Sequence, residues 1–155
     1  MKLTEKFFAR EAKEVARDLL GRKLVKVDGN EKLEGIITET IAFEGKGKRT
    51  FGEGIEYDAG KIYIMPFRNS NFLNISTENH KASCVFIYRL MPIGIDAKLT
   101  DGPGKLTKAF GIDKMYDGKS INSQSLYITE EKAKYEIEKL SASSDNCIAR
   151  YRIKA

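Results

Sequence analysis

Leu33-Glu34-Gly35-Ile36-Ile37-Thr38-Glu39-Thr40-Ile41-Ala42-Phe43 reads as one long β-strand. Isoleucine and threonine fill its centre, and β-branched side chains pack well on a pleated surface. Strand alternation puts Glu39, Ile41 and Phe43 on one face, and Thr38, Thr40 and Ala42 on the other. Working upstream, Asp28-Gly29-Asn30 turns a shorter strand, Leu24-Val25-Lys26-Val27, into this one. Before it, Phe8, Ala12, Val15, Ala16 and Leu19 recur at helical spacing as one apolar stripe. Thr4 is positioned to cap that helix and Gly21 to stop it just after Leu20.

Downstream, a glycine-rich, charged connection between Phe43 and Lys61 reads as an irregular surface loop. Strands are expected over residues 61–65, 72–76 and 83–90. Asp101-Gly102-Pro103-Gly104 breaks the chain ahead of a short helix, 105–110, that ends at Gly111. Residues 129–140 read either as a charged helix or, around Lys134-Tyr135-Glu136-Ile137, as a strand; 149–153 resembles a closing strand. No repeat, linker or low-complexity tract divides the sequence. The expectation is an α+β fold: a single domain over 1–155, with a curved, mainly antiparallel sheet flanked by short helices.

Hydrophobic residues at 41% and charged residues at 32% make the chain too apolar for disorder. No apolar run follows Met1-Lys2-Leu3-Thr4, and none elsewhere approaches the roughly twenty residues that span a bilayer. A soluble, intracellular protein without membrane contact is expected. Cys84 and Cys147 have neither the number nor the spacing of a zinc site or a disulfide framework, and Cys84 reads as a buried thiol. A histidine-based triad or metal site would rest on His80 alone, in a polar stretch that suits an exposed loop. Neither metal nor cofactor is expected. A net charge of +5 and a pI near 9.1 permit a polyanionic partner without requiring one.

Several short motifs, in order, resemble one family. Phe7-Phe8-Ala9-Arg10 with Val15-Ala16-Arg17-Asp18-Leu19-Leu20-Gly21 is similar to the opening of the methylpurine DNA glycosylases. The stretch from Gly35 through Gly45 resembles their central motif, usually written G-x-I-V-E-T-E-A-Y-x-G. Asn74-Ile75-Ser76, Arg89 ahead of Met91-Pro92, and Gly102-Pro103-Gly104-Lys105-Leu106-Thr107 with Ala109-Phe110-Gly111-Ile112 resemble later signatures. The similarity covers most of residues 5–115 and returns at Arg150-Tyr151.

The resemblance implies a monomeric, cofactor-free enzyme of DNA repair. It would flip alkylated or deaminated purines out of duplex DNA and hydrolyse the N-glycosidic bond. Extrusion costs a few kcal/mol and needs an apolar wedge, walls for the base and cations for the phosphates. The family's general base falls at Ile41, which cannot accept a proton. Glu39 lies on the same face, about 6.6–6.8 Å away along the strand. It either acts through a bridging water or forms only a structural ion pair. Phe43 replaces a stacking tyrosine, as a pocket wall or a core residue. Ile64 or Met65 would be the second wall. Phe67 would be the wedge, or else an edge aromatic packed on the core, with Arg68 beside it for a phosphate. Asn74 matches a pocket asparagine that reads the purine edge, and Arg89 an arginine near the attacking water. Gly102, Gly104 and Lys105 open a helix toward a DNA phosphate, or form an ordinary turn. The family's pocket histidine has no counterpart in the shortened loop at about 46–58. Loss of both groups leaves a rival reading, a catalytically weak or inactive nucleic-acid-binding module.

Overall fold

Among the described residues the long strand is the axis of an eight-stranded sheet. The computed structural model describes residues 1–44, 57–78, 83–141 and 147–154. Strand β2 (Glu31–Phe43) pairs along one edge with β5 (Ser83–Pro92). On its other edge the first half pairs with β1 (Arg22–Asp28) and the second half with β8 (Cys147–Ile153). The order is β3 (Ile62–Phe67), β4 (Ser70–Thr77), β5, β2, β1 and β6 (Leu126–Lys132). The short β7 (Ile137–Leu140) attaches through β8. Every strand pairing among the described residues is antiparallel, and the fold is α+β as expected.

Helices cover one face. The expected stripe of Phe8, Ala12, Val15, Ala16 and Leu19 is fully buried, against Leu24, Ile37, Leu73, Ile75 and Ile87 of the sheet. Each large side chain removed from water there contributes about 1.5–3 kcal/mol. Thr40 fixes the contact by donating its hydroxyl to the Ala16 carbonyl at 2.6 Å. The helical segment is broken, however, into α1 (Glu5–Phe8) and α2 (Ala12–Leu19). Arg10 accounts for the break: its Nε bonds back to the Phe7 carbonyl at 2.9 Å, and its guanidinium reaches Asp18 at 3.0 Å. Helix α3 (Pro103–Phe110) ends at Gly111, whose φ of 67° suits glycine. Its first turn lies so close to the β3–β4 hairpin that a Cβ on Gly104 would stand 2.6 Å from the Ser70 hydroxyl. The ambiguous tail resolves as β6 and β7, set by partners distant in sequence rather than by local pattern.

One irregularity decides which side chains face where. Ile37 pairs with Leu90, Glu39 with Arg89, and Thr40 with Ile87, with register shifts at both steps. Ile37 and Ala42 both lie in the helix-covered core, although five residues apart. The bulge at Thr38 therefore restarts the alternation, sending Glu39, Ile41 and Phe43 to the opposite, outer face.

Candidate functional site

The outer face carries a second cluster: Ile41, Phe43, Cys84, Phe86 and Cys147, joined by Phe72 and Tyr88. Its rings form a continuous ladder. Phe67 stacks on Phe72 at 5.2 Å, Phe72 meets Phe86 at 5.1 Å, and Phe86 meets Phe43 at 6.4 Å and Tyr88 at 5.6 Å. Ile41 and Phe43 are nearly buried in this cluster.

Glu39, 2% exposed, is fully engaged. Its Oε2 accepts from Nε of Arg150 at 2.7 Å and also from Nη2 of the same guanidinium. Its Oε1 stands 3.8 Å from Nε of Arg89, an ion-pair distance rather than a hydrogen bond. The Arg150 guanidinium also lies 4.9 Å over the Tyr88 ring. Glu39 thus stands in an ion pair with Arg150.

Asn74 is fully buried and its amide is satisfied internally. Nδ2 donates to the carbonyls of Tyr63 and Phe72, each at 3.3 Å, while Oδ1 faces the Cys84 thiol at 4.0 Å. Burial pushes that thiol up to about 12, so it stays protonated and unreactive. Ile64 belongs to the helix-covered core. Met65, the next residue, therefore faces outward, half-buried and opposite Phe72 in the register.

Phe67 and Arg68 occupy the hairpin tip at the sheet's edge. Phe67 is 46% exposed, Arg68 takes a φ of 56°, and its guanidinium sits 5.3 Å over the Phe67 ring. Across a cleft of about 400 Å³ from Phe67, Arg68 and Phe72 lie Gly102, Gly104 and Lys105. No side chain caps α3 at Gly102, so its first backbone N–H groups are not claimed from that side. Lys105 reaches Asp101 at 3.1 Å in an exposed pair of small energetic weight.

The expected residues thus form two groups on one face. Glu39, Ile41, Phe43, Asn74 and Arg89 lie over β2, β4 and β5; Phe67, Arg68, Gly102, Gly104 and Lys105 line the cleft at the β3 edge. Two strands separate β3 from β2, a span of about 14 Å, and the ring ladder crosses it. Sequence reasoning missed Arg150, Phe72, Phe86 and Tyr88; the family-like Arg150-Tyr151 pair was the one signal toward them. The readings made of His80 and of residues 45–56 fall outside the described residues. Among the described residues no helix is long and apolar enough to cross a membrane.

An antiparallel sheet with helices on one face and an aromatic, arginine-rimmed site on the other is the architecture in which the family motifs are seated. Residues 6–144 match the methylpurine-DNA glycosylase (MPG) family, and the chain belongs to it. Curated relatives bear the name "Putative 3-methyladenine DNA glycosylase". One from Lactobacillus helveticus is 35% identical over 135 residues, covering 72% of this chain and 64% of its own length. One from Staphylococcus carnosus is 33% identical over 154 residues, covering 83% and 74%. One from Listeria monocytogenes is 30% identical over 163 residues, covering 88% and 78%. The chain therefore spans less than two thirds of the Lactobacillus helveticus relative.

Proposed function

We propose that this chain is an intracellular, monomeric DNA-repair glycosylase that flips cationic alkylated purines out of duplex DNA and excises them. The observation that carries the reading is the ring ladder, which connects an exposed aromatic at the sheet edge with the family's catalytic position on one face. In this reading Phe67 fills the gap left in the base stack. Arg68, Lys105 and the backbone at Gly102 and Gly104 hold phosphates. Ile41, Phe43, Met65 and Asn74 wall the base, which enters as the outer rings shift. Glu39 anchors Arg150 and Arg89, and Arg89 faces the attacking water.

The chemistry follows from the missing carboxylate. General-base catalysis is worth about a hundred- to ten-thousand-fold, and Ile41 supplies none. A methylated purine that carries positive charge needs no protonation to leave: the N-glycosidic bond breaks, its electron pair neutralises the base, and an oxocarbenium-like sugar remains. Water adds to the anomeric carbon and releases its proton to solvent. A neutral base such as hypoxanthine lacks that advantage. No metal or redox group enters these steps.

A second reading, a nucleic-acid-binding module without catalysis, is favoured by one observation: Glu39, two residues from Ile41 on the same face, is already paired with Arg150. Single-turnover base release from duplexes carrying a methylated purine or hypoxanthine decides. Release of the methylated base supports the enzyme. Folded protein that binds abasic DNA yet releases neither base would leave the binding module.

A further inference from the structure

Beside the proposed reaction centre lies a cleft of about 440 Å³, with Thr38, Arg89, Glu138, Arg152 and Lys154 among its walls. Strand pairing builds it. Glu39 is opposite Arg89 on one side and Arg152 on the other, so two arginines flank one carboxylate across three adjacent strands. Glu138 pairs with Arg152 in the register of β7.

The charges do not cancel. Arg89, Arg150, Arg152 and Lys154 face two carboxylates, Glu39 and Glu138. Glu39 is held by Arg150, leaving Arg89 at 3.8 Å with no hydrogen bond to it and its side chain 48% exposed. Arg152 bonds Glu138 through Nε, and its side chain is 49% exposed. Lys154 is exposed and has no ion pair among the described residues. An exposed Arg–Glu pair is worth about 0.2–1 kcal/mol, so a phosphate oxygen can compete with it. Guanidinium groups bind phosphate oxygens in two-pronged fashion; Thr38 stands at the rim, its hydroxyl donating to the Arg89 carbonyl at 3.3 Å.

We propose that this cleft is a phosphate subsite: Arg152 and Lys154, with Arg89, hold a phosphodiester of the DNA strand next to the extruded nucleotide. The placement rests on the glycosylase reading, since Glu39 lies about 6.6–6.8 Å along β2 from Ile41. That puts the cleft within roughly one nucleotide of the scissile sugar. It is separate from the cleft at Phe67 and α3, across the sheet, so the strand is gripped on both sides of the flipped base. The subsite fixes the strand rather than the base, and Arg152 and Lys154 are binding residues with no part in bond breaking.

The test measures affinity for a duplex containing an abasic-site analogue over a range of salt concentrations. It compares wild type, Arg152→Gln, Lys154→Gln, and Lys13→Gln on the exposed side of α2, across the sheet. Each phosphate contact contributes about 0.9 to the slope of log affinity against log salt. Arg152→Gln and Lys154→Gln should each lower the slope by about one and weaken binding several-fold, while Lys13→Gln leaves it unchanged. Arg152 has a structural partner, so its melting temperature is checked, and Lys154→Gln carries the result if that variant fails to fold. A wild-type slope in the folded variants, or an equal fall with Lys13→Gln, overturns the subsite and leaves the glycosylase reading standing. Wild-type protein without affinity for the duplex overturns both.

Discussion

Arg150 on the last strand closes its guanidinium over one oxygen of Glu39, 111 residues earlier, and lays its flat face on Tyr88. This contact ties the chain's end to the centre of the sheet at the position beside Ile41. Removing one member of a buried, hydrogen-bonded pair costs about 3–5 kcal/mol because its partner is left charged without compensation. Arg150 retains some exposure, 28% of its side chain, which places Arg150→Ala near the lower end, about 3 kcal/mol. Urea unfolding should show a lower midpoint with unchanged slope. Glu39→Gln keeps an acceptor and should cost less, about 1–2 kcal/mol. Its single-turnover base release, normalised to folded protein, should match wild type; a large fall would make Glu39 the base.

Phe67 should matter more to damaged DNA than to the fold. Its ring is 46% exposed and its stack on Phe72 contributes about 1 kcal/mol. Phe67→Ala should therefore lower stability by about that amount. It should weaken binding to an abasic-site duplex by about 1–3 kcal/mol more than binding to an intact duplex. Equal losses for the two duplexes would reduce Phe67 to a general contact.

In the proposed mechanism position 41 carries no carboxylate, so introducing one there should widen the substrate range. Ile41→Glu is expected to raise hypoxanthine release above wild type, with methylpurine release changing less. The new group enters a cluster of Phe43, Phe86 and two cysteines, so burial raises its pKa above the ordinary glutamate value of about 4.3. Base catalysis needs the ionised form, so the gain should increase with pH until that raised pKa is passed. Stability falls from burying a charge, and a gain absent in folded protein would remove the argument from position 41.

Tyr57 supplies a pH signature. Its hydroxyl donates to Asp117 at 2.7 Å, and the other Asp117 oxygen accepts from the Ile64 amide at 2.8 Å. The Asp117 hydrogen bond, with burial secondary, raises the phenol from 10.0 to about 12. A raised phenol means the fold favours the neutral form. Its contribution is complete below pH 10 and disappears as pH climbs through 12. The stability difference between wild type and Tyr57→Phe should narrow across that window. A difference that stays constant would separate the hydroxyl from the effect.

Much of the fold was legible because its signals are local. The apolar stripe of α2, the Asp28-Gly29-Asn30 turn, the alternation over residues 39–43 and the Gly111 stop each depend on neighbours within a few residues. The break at Arg10 was hidden, since it depends on a guanidinium turning back to Phe7 and across to Asp18. The 129–140 segment was ambiguous for the same reason: β7 exists because β8 lies beside it. At the candidate site, family motifs supplied the residues on β2, β4 and β5. Composition offered no means to find the ring ladder or the Glu39–Arg150 pair, because their members meet only after the sheet closes.

The bulge at Thr38 divides β2 into two counting frames. Residues before it place odd numbers against the helices, and residues after it place even numbers there. An unbroken pleat over the same residues would force one half of the strand to invert. Either Glu39 would be driven in among the leucines and isoleucines under α2, or Ile37 would be turned out to water. Removing Thr38 itself leaves Ile37 inward and Glu39 outward on a regular pleat, whereas a one-residue insertion or deletion between Glu39 and Phe43 turns the residues beyond it to the wrong face.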